Sequence, residues 1–232
     1  MIYLQDVSYE IKRPRKSLKI LSNINLKVSR NEKVGIIANP GSGKSTLAKL
    51  LSGIEEPSSG LIASNSSTSW PIGFAGFFHP DLTAYDNIKL IARLSGSDPD
   101  RMITYCQEIG GLKSEMNSLV KKFSPTSRAI LAYCCSIAVK RDIFIADDVI
   151  SVGGKEVRAR CETLMNELLK HTGLIFLSKN ILQLNKFCDK FYALINGELI
   201  PCNTPEVGLK AIELWDRKSA KLSNGGSCND SK

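Results

Sequence analysis

Ala38-Asn39-Pro40-Gly41-Ser42-Gly43-Lys44-Ser45-Thr46 has the residue types and spacing of a phosphate-binding loop, with Ala38 where the first glycine usually stands. Each type has a chemical reason. Gly41 and Gly43 let backbone N–H groups curl round a phosphate, and a helix starting at Lys44 adds the positive end of its dipole. Lys44 is spaced to reach β- and γ-phosphates, and Ser45 to ligate Mg²⁺. A carboxylate on the metal side should end a second buried strand. Ile143-Phe144-Ile145-Ala146-Asp147-Asp148 supplies Asp147 at that place, with a helix-capping role as the plainer alternative.

The elements that must hold these groups are legible along the chain. Lys33–Ala38 reads as a buried strand feeding the loop, and Lys44–Leu51 as a helix closed by Gly53 and Pro57. Ile2–Val7 and Ile20–Val28 alternate like half-buried strands, and further strands are expected around Gly60–Ala63 and Ser69–Phe74. From Ala84 to Lys122 apolar residues recur at helical steps. Then come helix 125–140, strand 143–147, helix 155–171, strand 174–178, helix 181–187 and a hairpin 191–200 turned at Asn196-Gly197. This alternation predicts an α/β sheet, mainly parallel, with a helical insertion in its middle. Residues 219–232, rich in Ser, Asn and Gly, read as a loose tail.

Composition narrows the function classes. Of 232 residues, 43% are hydrophobic and 23% charged, which excludes a wholly disordered or fibrous chain. A net charge of +8 admits phosphate, nucleic acid or an anionic membrane surface as partners. The one basic cluster, Lys12-Arg13-Pro14-Arg15-Lys16, reads as a solvated loop tip; a nucleic-acid patch there lacks an aromatic platform. Seven cysteines without a CxxC pair read as free thiols of a reducing compartment, against a zinc site or a disulfide scaffold. The start lacks a secretion signal, and the longest apolar run, Ala129–Val139, is too short to span a bilayer. A cytoplasmic chain that meets membrane only through a partner is expected. A GTPase base reader is excluded, because Asn185-Lys186-Phe187-Cys188-Asp189 is one residue too long and falls in a helix.

Residues 2–215 resemble the nucleotide-binding subunit of ATP-binding-cassette (ABC) transporters, and most of all the capsular-polysaccharide and O-antigen export ATPases. The narrower likeness is carried by Ser69-Trp70-Pro71-Ile72-Gly73-Phe74-Ala75-Gly76-Phe77, by Leu82-Thr83-Ala84-Tyr85-Asp86-Asn87-Ile88 and by Ala92-Arg93-Leu94. The resemblance implies a P-loop NTPase fold with a RecA-like α/β core, an antiparallel β subdomain and a helical subdomain near 84–140. The nucleotide-binding domain would span 1–218, with 219–232 a flexible tail. It implies that ATP and Mg²⁺ bind at Asn39, Pro40, Gly41, Ser42, Gly43, Lys44, Ser45 and Thr46, the metal at Ser45 and Asp147. Two subunits, alike or different, would close head to tail, each ATP lying between one phosphate loop and the partner's signature helix. ATP hydrolysis would drive a transmembrane permease made by another polypeptide, placing the chain at the inner face of the cell membrane; no nucleic acid is expected. Tyr9 stands where the family keeps an adenine-stacking aromatic, although a strand tyrosine needs no such role.

Five departures fall on the positions that would do the chemistry. The family's water-polarising glutamate is Asp148, a methylene shorter, and ångström-scale misplacement costs on the order of 10²-fold. The switch histidine is Lys179, and the glutamine that senses Mg²⁺ and water is His79. The signature reads Ser124-Pro125-Thr126-Ser127. Pro125 removes a backbone donor, and Thr126 and Ser127 put side chains where glycines would let a γ-phosphate approach. The dimer-loop aspartate is Gly154. Together these predict an ATP-binding subunit with weak or absent hydrolysis; the alternative is a non-hydrolysing module that docks on or regulates a transporter.

Overall fold

The alternating first strands pair as their pattern requires. In the computed structural model, which describes residues 1–14 and 17–224, β1 (Ile2–Ile11) and β2 (Leu18–Val28) run antiparallel, with Leu4 opposite Leu26 and Tyr9 opposite Leu21. After β3 (Lys33–Ile37) and α1 (Lys44–Leu51), β4 (Ser59–Ser64) joins the other edge of β1, giving the order β2-β1-β4. A bulge places Asp6 at φ +49, and a side chain at Gly60 would run into the Asp6 carbonyl. Only glycine fits there. Lys12, Arg13 and Pro14 are exposed as expected; Arg15 and Lys16 lie outside the described residues.

After β5 (Thr68–Pro71) the chain leaves the sheets for the expected helical insertion: α2 (Ala84–Ser95), α3 (Pro99–Thr104), a π-helical turn at Tyr105–Ile109, two short 3₁₀ turns and α4 (Pro125–Ala138). Trp70 Nε1 donates to Ser136 Oγ at 2.7 Å, tying β5 to α4. Asn87, fully buried, accepts from His79 N–H at 2.8 Å and donates to the His79 carbonyl at 3.1 Å. One α2 side chain thus fixes the loop before that helix.

The larger sheet has the order β5-β6-β7-β3-β8-β9, with β6 (Ile143–Asp147), β7 (Gly173–Ser178), β8 (Lys190–Ile195) and β9 (Glu198–Cys202). Its first five strands are parallel and β9 returns antiparallel. β3, β6 and β7 read as nearly continuous apolar runs because both faces are covered. On one face α1 and the antiparallel sheet bury Leu4, Leu21, Ile36, Leu47, Ile145 and Ile175. On the other lie α4, α5 (Lys155–Leu168), α6 (Ile181–Phe187) and α7 (Pro205–Asn224), burying Tyr133, Phe144, Phe176, Leu184 and Ile212. Cys106, Cys134, Cys135, Cys161 and Cys188 are free and buried, and burial pushes the Cys161 thiol up to about 11, so it stays protonated and inert at neutral pH.

Two expectations need correction, and a third gains detail. The strand expected over 69–74 ends at Pro71, because Gly73 (φ +82) turns the chain and Phe74 N–H donates to the Pro71 carbonyl. The helical run 84–122, for which the sequence set no internal breaks, divides at left-handed Gly96 and Gly111 into separate short helices. The tail expected to be loose from 219 is helical to Asn224 as the end of α7, and 225–232 lie outside the described residues. That helix carried its own signal, a proline at its first position with Gly208 and Ile212 buried at helical spacing.

Candidate nucleotide site

β3 occupies the middle of the larger sheet and delivers the chain to the loop at the carboxyl edge, where ligands of open α/β sheets bind. Ala38 N–H donates to the Ser178 carbonyl, and Ser42 N–H to that of Asn39. Gly41 sits at φ +83 with nothing near an added Cβ, so glycine serves its backbone conformation alone. Gly43 sits at φ +93, and a Cβ there would also lie 2.8 Å from Ile20 Cγ2.

α1 then begins with no side-chain cap and no acid in its first turn. Thr83 caps α2, Ser124 caps α4 and Asn180 caps α6, whereas α5, which also lacks a side-chain cap, carries Glu156 in its first turn. The first N–H groups of α1 are therefore left for an anion. They open on a cavity of about 440 Å³ lined by Pro40, Gly41, Gly43 and the first turn of α1, with Ile20 and Asp148 on its flanks.

Two of its lining side chains, Lys44 and Asp148, form a charged cluster with Asp147. Lys44, 10% exposed, lies 3.0 Å from Asp147 Oδ1 and pairs closely with Asp148 Oδ2. Asp147 ends β6, and Asp148 follows at φ +58, a left-handed conformation that aspartate tolerates and that turns its carboxylate back to Lys44. One cation faces two carboxylates, so the cluster is formally −1. A polyphosphate entering it needs further positive charge.

The donor set fits a hard divalent cation. Ser45 Oγ donates to Asp147 Oδ2 at 2.5 Å, so a hydroxyl and a carboxylate oxygen already converge. Asp147 Oδ1 is buried, and although Lys44 is close it is out of line for a hydrogen bond, leaving that oxygen an acceptor without a donor. Mg²⁺ bound by Ser45 and Asp147 would neutralise this oxygen and the phosphate charge together.

The remaining expected residues lie elsewhere. His79 is exposed; its Nδ1 accepts from Asp81 N–H at 3.2 Å, and it does not line the cavity. Lys179, exposed after β7, makes no ion pair with a described residue. Tyr9 is half-buried, and its hydroxyl is held by Glu55, which keeps the phenol above its ordinary range. Glu55 also takes an ion pair from Lys49 at 2.8 Å. Ile20 on β2 lines the cavity, and Tyr9 is not among the residues that line it. Ser124, Pro125, Thr126 and Ser127 form the first turn of α4, with Ser124 Oγ accepting from Ser127 N–H at 3.0 Å, and they too stay outside the cavity. Gly154 opens α5 without a side-chain cap. Sequence reasoning missed Ile20, whose strand position gave no chemical hint.

A profile of the ABC transporter family matches residues 21–151, which include the phosphate loop, the helical insertion and Asp147. The chain belongs to the ABC transporter family. Among this cassette's relatives, the ATP-binding protein BexA of Haemophilus influenzae is 37% identical over 178 residues, 77% of this chain and 82% of that protein. The capsule polysaccharide export ATP-binding protein CtrD of Neisseria meningitidis serogroup B is 34% identical, over 78% of this chain and 83% of its own. A bacterial ABC transporter cassette solved as a dimer superposes with a TM-score of 0.73 at 20% identity, covering 86% of this chain and 96% of that one. At that identity the likeness establishes the fold: the cassette is an α/β ATP-binding fold with an antiparallel sheet beside its core. Among its described residues no helix is long and apolar enough to cross a membrane.

Proposed function

We infer that this cassette binds Mg-ATP in the cavity before α1, serves a transmembrane exporter of capsular or other cell-surface polysaccharide, and turns ATP over slowly or not at all. The observation that carries the reading is a complete phosphate cradle beside altered groups. The uncapped helix start, Lys44 and Ser45 line one cavity and Asp147 contacts both side chains, whereas Asp148, Lys179 and His79 differ from the residues that would handle the attacking water. The polysaccharide half of the reading rests on similarity to CtrD, whose name states capsule polysaccharide export.

The residues divide the work as follows. Loop and first-turn N–H groups bind phosphate oxygens, and Lys44 gives up its close contact with Asp148 to meet the terminal phosphates. Mg²⁺, when bound by Ser45 and Asp147, supplies charge neutralisation. Asp148 is a short carboxylate already turned to Lys44, so it is poorly placed to orient water beyond the γ-phosphate. The α4 start offers no N–H at Pro125 and carries side chains at Thr126 and Ser127. A second cassette, alike or different, pairs with this one, and both sit on the permease at the membrane.

The second reading, a non-hydrolysing docking or regulatory module, draws on the segment from His79 to Ala92. Asn87 holds it rigidly although the chemistry around it has changed, which suits docking kept for its own sake. Removing the protein from its host separates transport from other roles. Loss of surface polysaccharide with polymer accumulating inside the cell is expected. Unchanged surface and internal pools would contradict the polysaccharide assignment.

A further inference from the structure

We propose that Asp216, on α7, is a positioning residue for the phosphate loop, acting through Asn39. The inference rests on the ATP-binding reading and adds to it a control point outside the loop. Asn39 Nδ2 donates to Asp216 Oδ2 at 3.0 Å, linking residues 177 apart in sequence. Among the described residues it is the only side-chain hydrogen bond made by residues 38–43. Ser42 Oγ, the other side chain able to make one, is buried without a partner.

The surroundings explain why one bond matters. Beside the loop lies a cavity of about 300 Å³ lined by Ser42, Leu194, Asn196 and Trp215, and both partners of the Asn39–Asp216 bond line it too. On this side the loop borders open space. With Gly41 and Gly43 both at positive φ, it has the freedom to sag into that gap, and ordering it on phosphate would cost entropy. α7 is a firm anchor: Ile212 is buried, and Gly208 packs so closely that a Cβ would lie 3.0 Å from Ile37 Cδ1 at the end of β3. Asp216 thus fixes the loop relative to the strand that delivers it, and a loop held in its binding shape takes phosphate at lower cost. The effect comes from geometry and not attraction, since Asp216 brings a negative charge toward a site for an anion.

Titration of the full chain with Mg-ATP, using wild type, Asp216→Ala, Asn39→Ala, the double variant and Asp216→Asn, tests this, with melting temperatures measured alongside. Both alanine variants are expected to weaken binding about three- to tenfold, the scale of one hydrogen bond. The double variant should be no weaker than either single one. Asp216→Asn keeps an acceptor for the Asn39 amide and removes the charge, so it should bind as wild type or tighter. Asp216→Ala binding like wild type, additive losses in the double variant, or a loss in Asp216→Asn equal to that in Asp216→Ala would each overturn the proposal. A fall in melting temperature with unchanged affinity would likewise assign Asp216 to stability alone. A wild-type chain that takes up no ATP would overturn the ATP reading and this inference with it, and is seen before any variant is compared.

Discussion

Lys44→Ala is expected to weaken Mg-ATP binding by about a hundredfold or more, read by equilibrium titration. Two losses add. The ammonium that would meet the terminal phosphates disappears, and hydrogen bonds to charged groups contribute about 1.5–3 kcal/mol each. The same change leaves Asp147 and Asp148 without their shared cation, so the site goes from formally −1 to −2 just where a polyphosphate must enter. At about 1.4 kcal/mol per tenfold, either loss alone reaches roughly tenfold and the pair reaches a hundredfold. Asp147 is only 19% exposed, so its uncompensated charge should lower the melting temperature as well. Binding within threefold of wild type would show that phosphate is held somewhere other than the loop.

The second large effect concerns turnover. Asp148→Glu with Lys179→His should raise the hydrolysis rate only modestly, by about tenfold at most, while the α4 start is unchanged. The reason lies in where the altered residues fall. In the head-to-tail pair proposed above, the cavity of one cassette would be completed by the α4 start of the other. Asp148 lines the first, and Pro125, Thr126 and Ser127 open α4 for the second, yet this single chain carries both changes. An intact partner would leave each composite site short of one half, and a homodimer would leave both sites short of both halves. Adding Pro125→Gly and Thr126→Gly to the first two changes should therefore yield a further gain on the order of 10²-fold, the scale on which misplaced groups cost rate. Full activity from Asp148→Glu and Lys179→His alone would defeat the composite-site argument.

How far the sequence could be read follows from the range of the forces involved. The phosphate loop, the strands around it and Asp147 were legible because backbone conformation, burial and motif spacing are local properties. The helix start at Ser124 was legible for the same reason: its hydroxyl accepts from Ser127 N–H as an N-cap. The surroundings of Tyr9 were not, because its neighbours depend on which face of a bulged strand it occupies: its hydroxyl meets Glu55, and Ile20 lines the cavity. The Asn39–Asp216 bond was also out of reach, since a contact across 177 residues leaves no periodic trace. The split of 84–122 into short helices turned on left-handed glycines, whose conformation their identity permits but does not dictate. The C-terminal helix lay within reach of the sequence, but the polar composition of 219–224 outweighed the helical spacing before it.

Mg-ATP hydrolysis by the purified chain, with Lys44→Ala as the blank, tests the central claim most directly. The account predicts saturable ATP binding by the wild-type chain together with turnover no higher than the blank. Turnover clearly above the blank would mean that Asp148, Lys179 and His79 still support catalysis, and the cassette would then be a working transport motor.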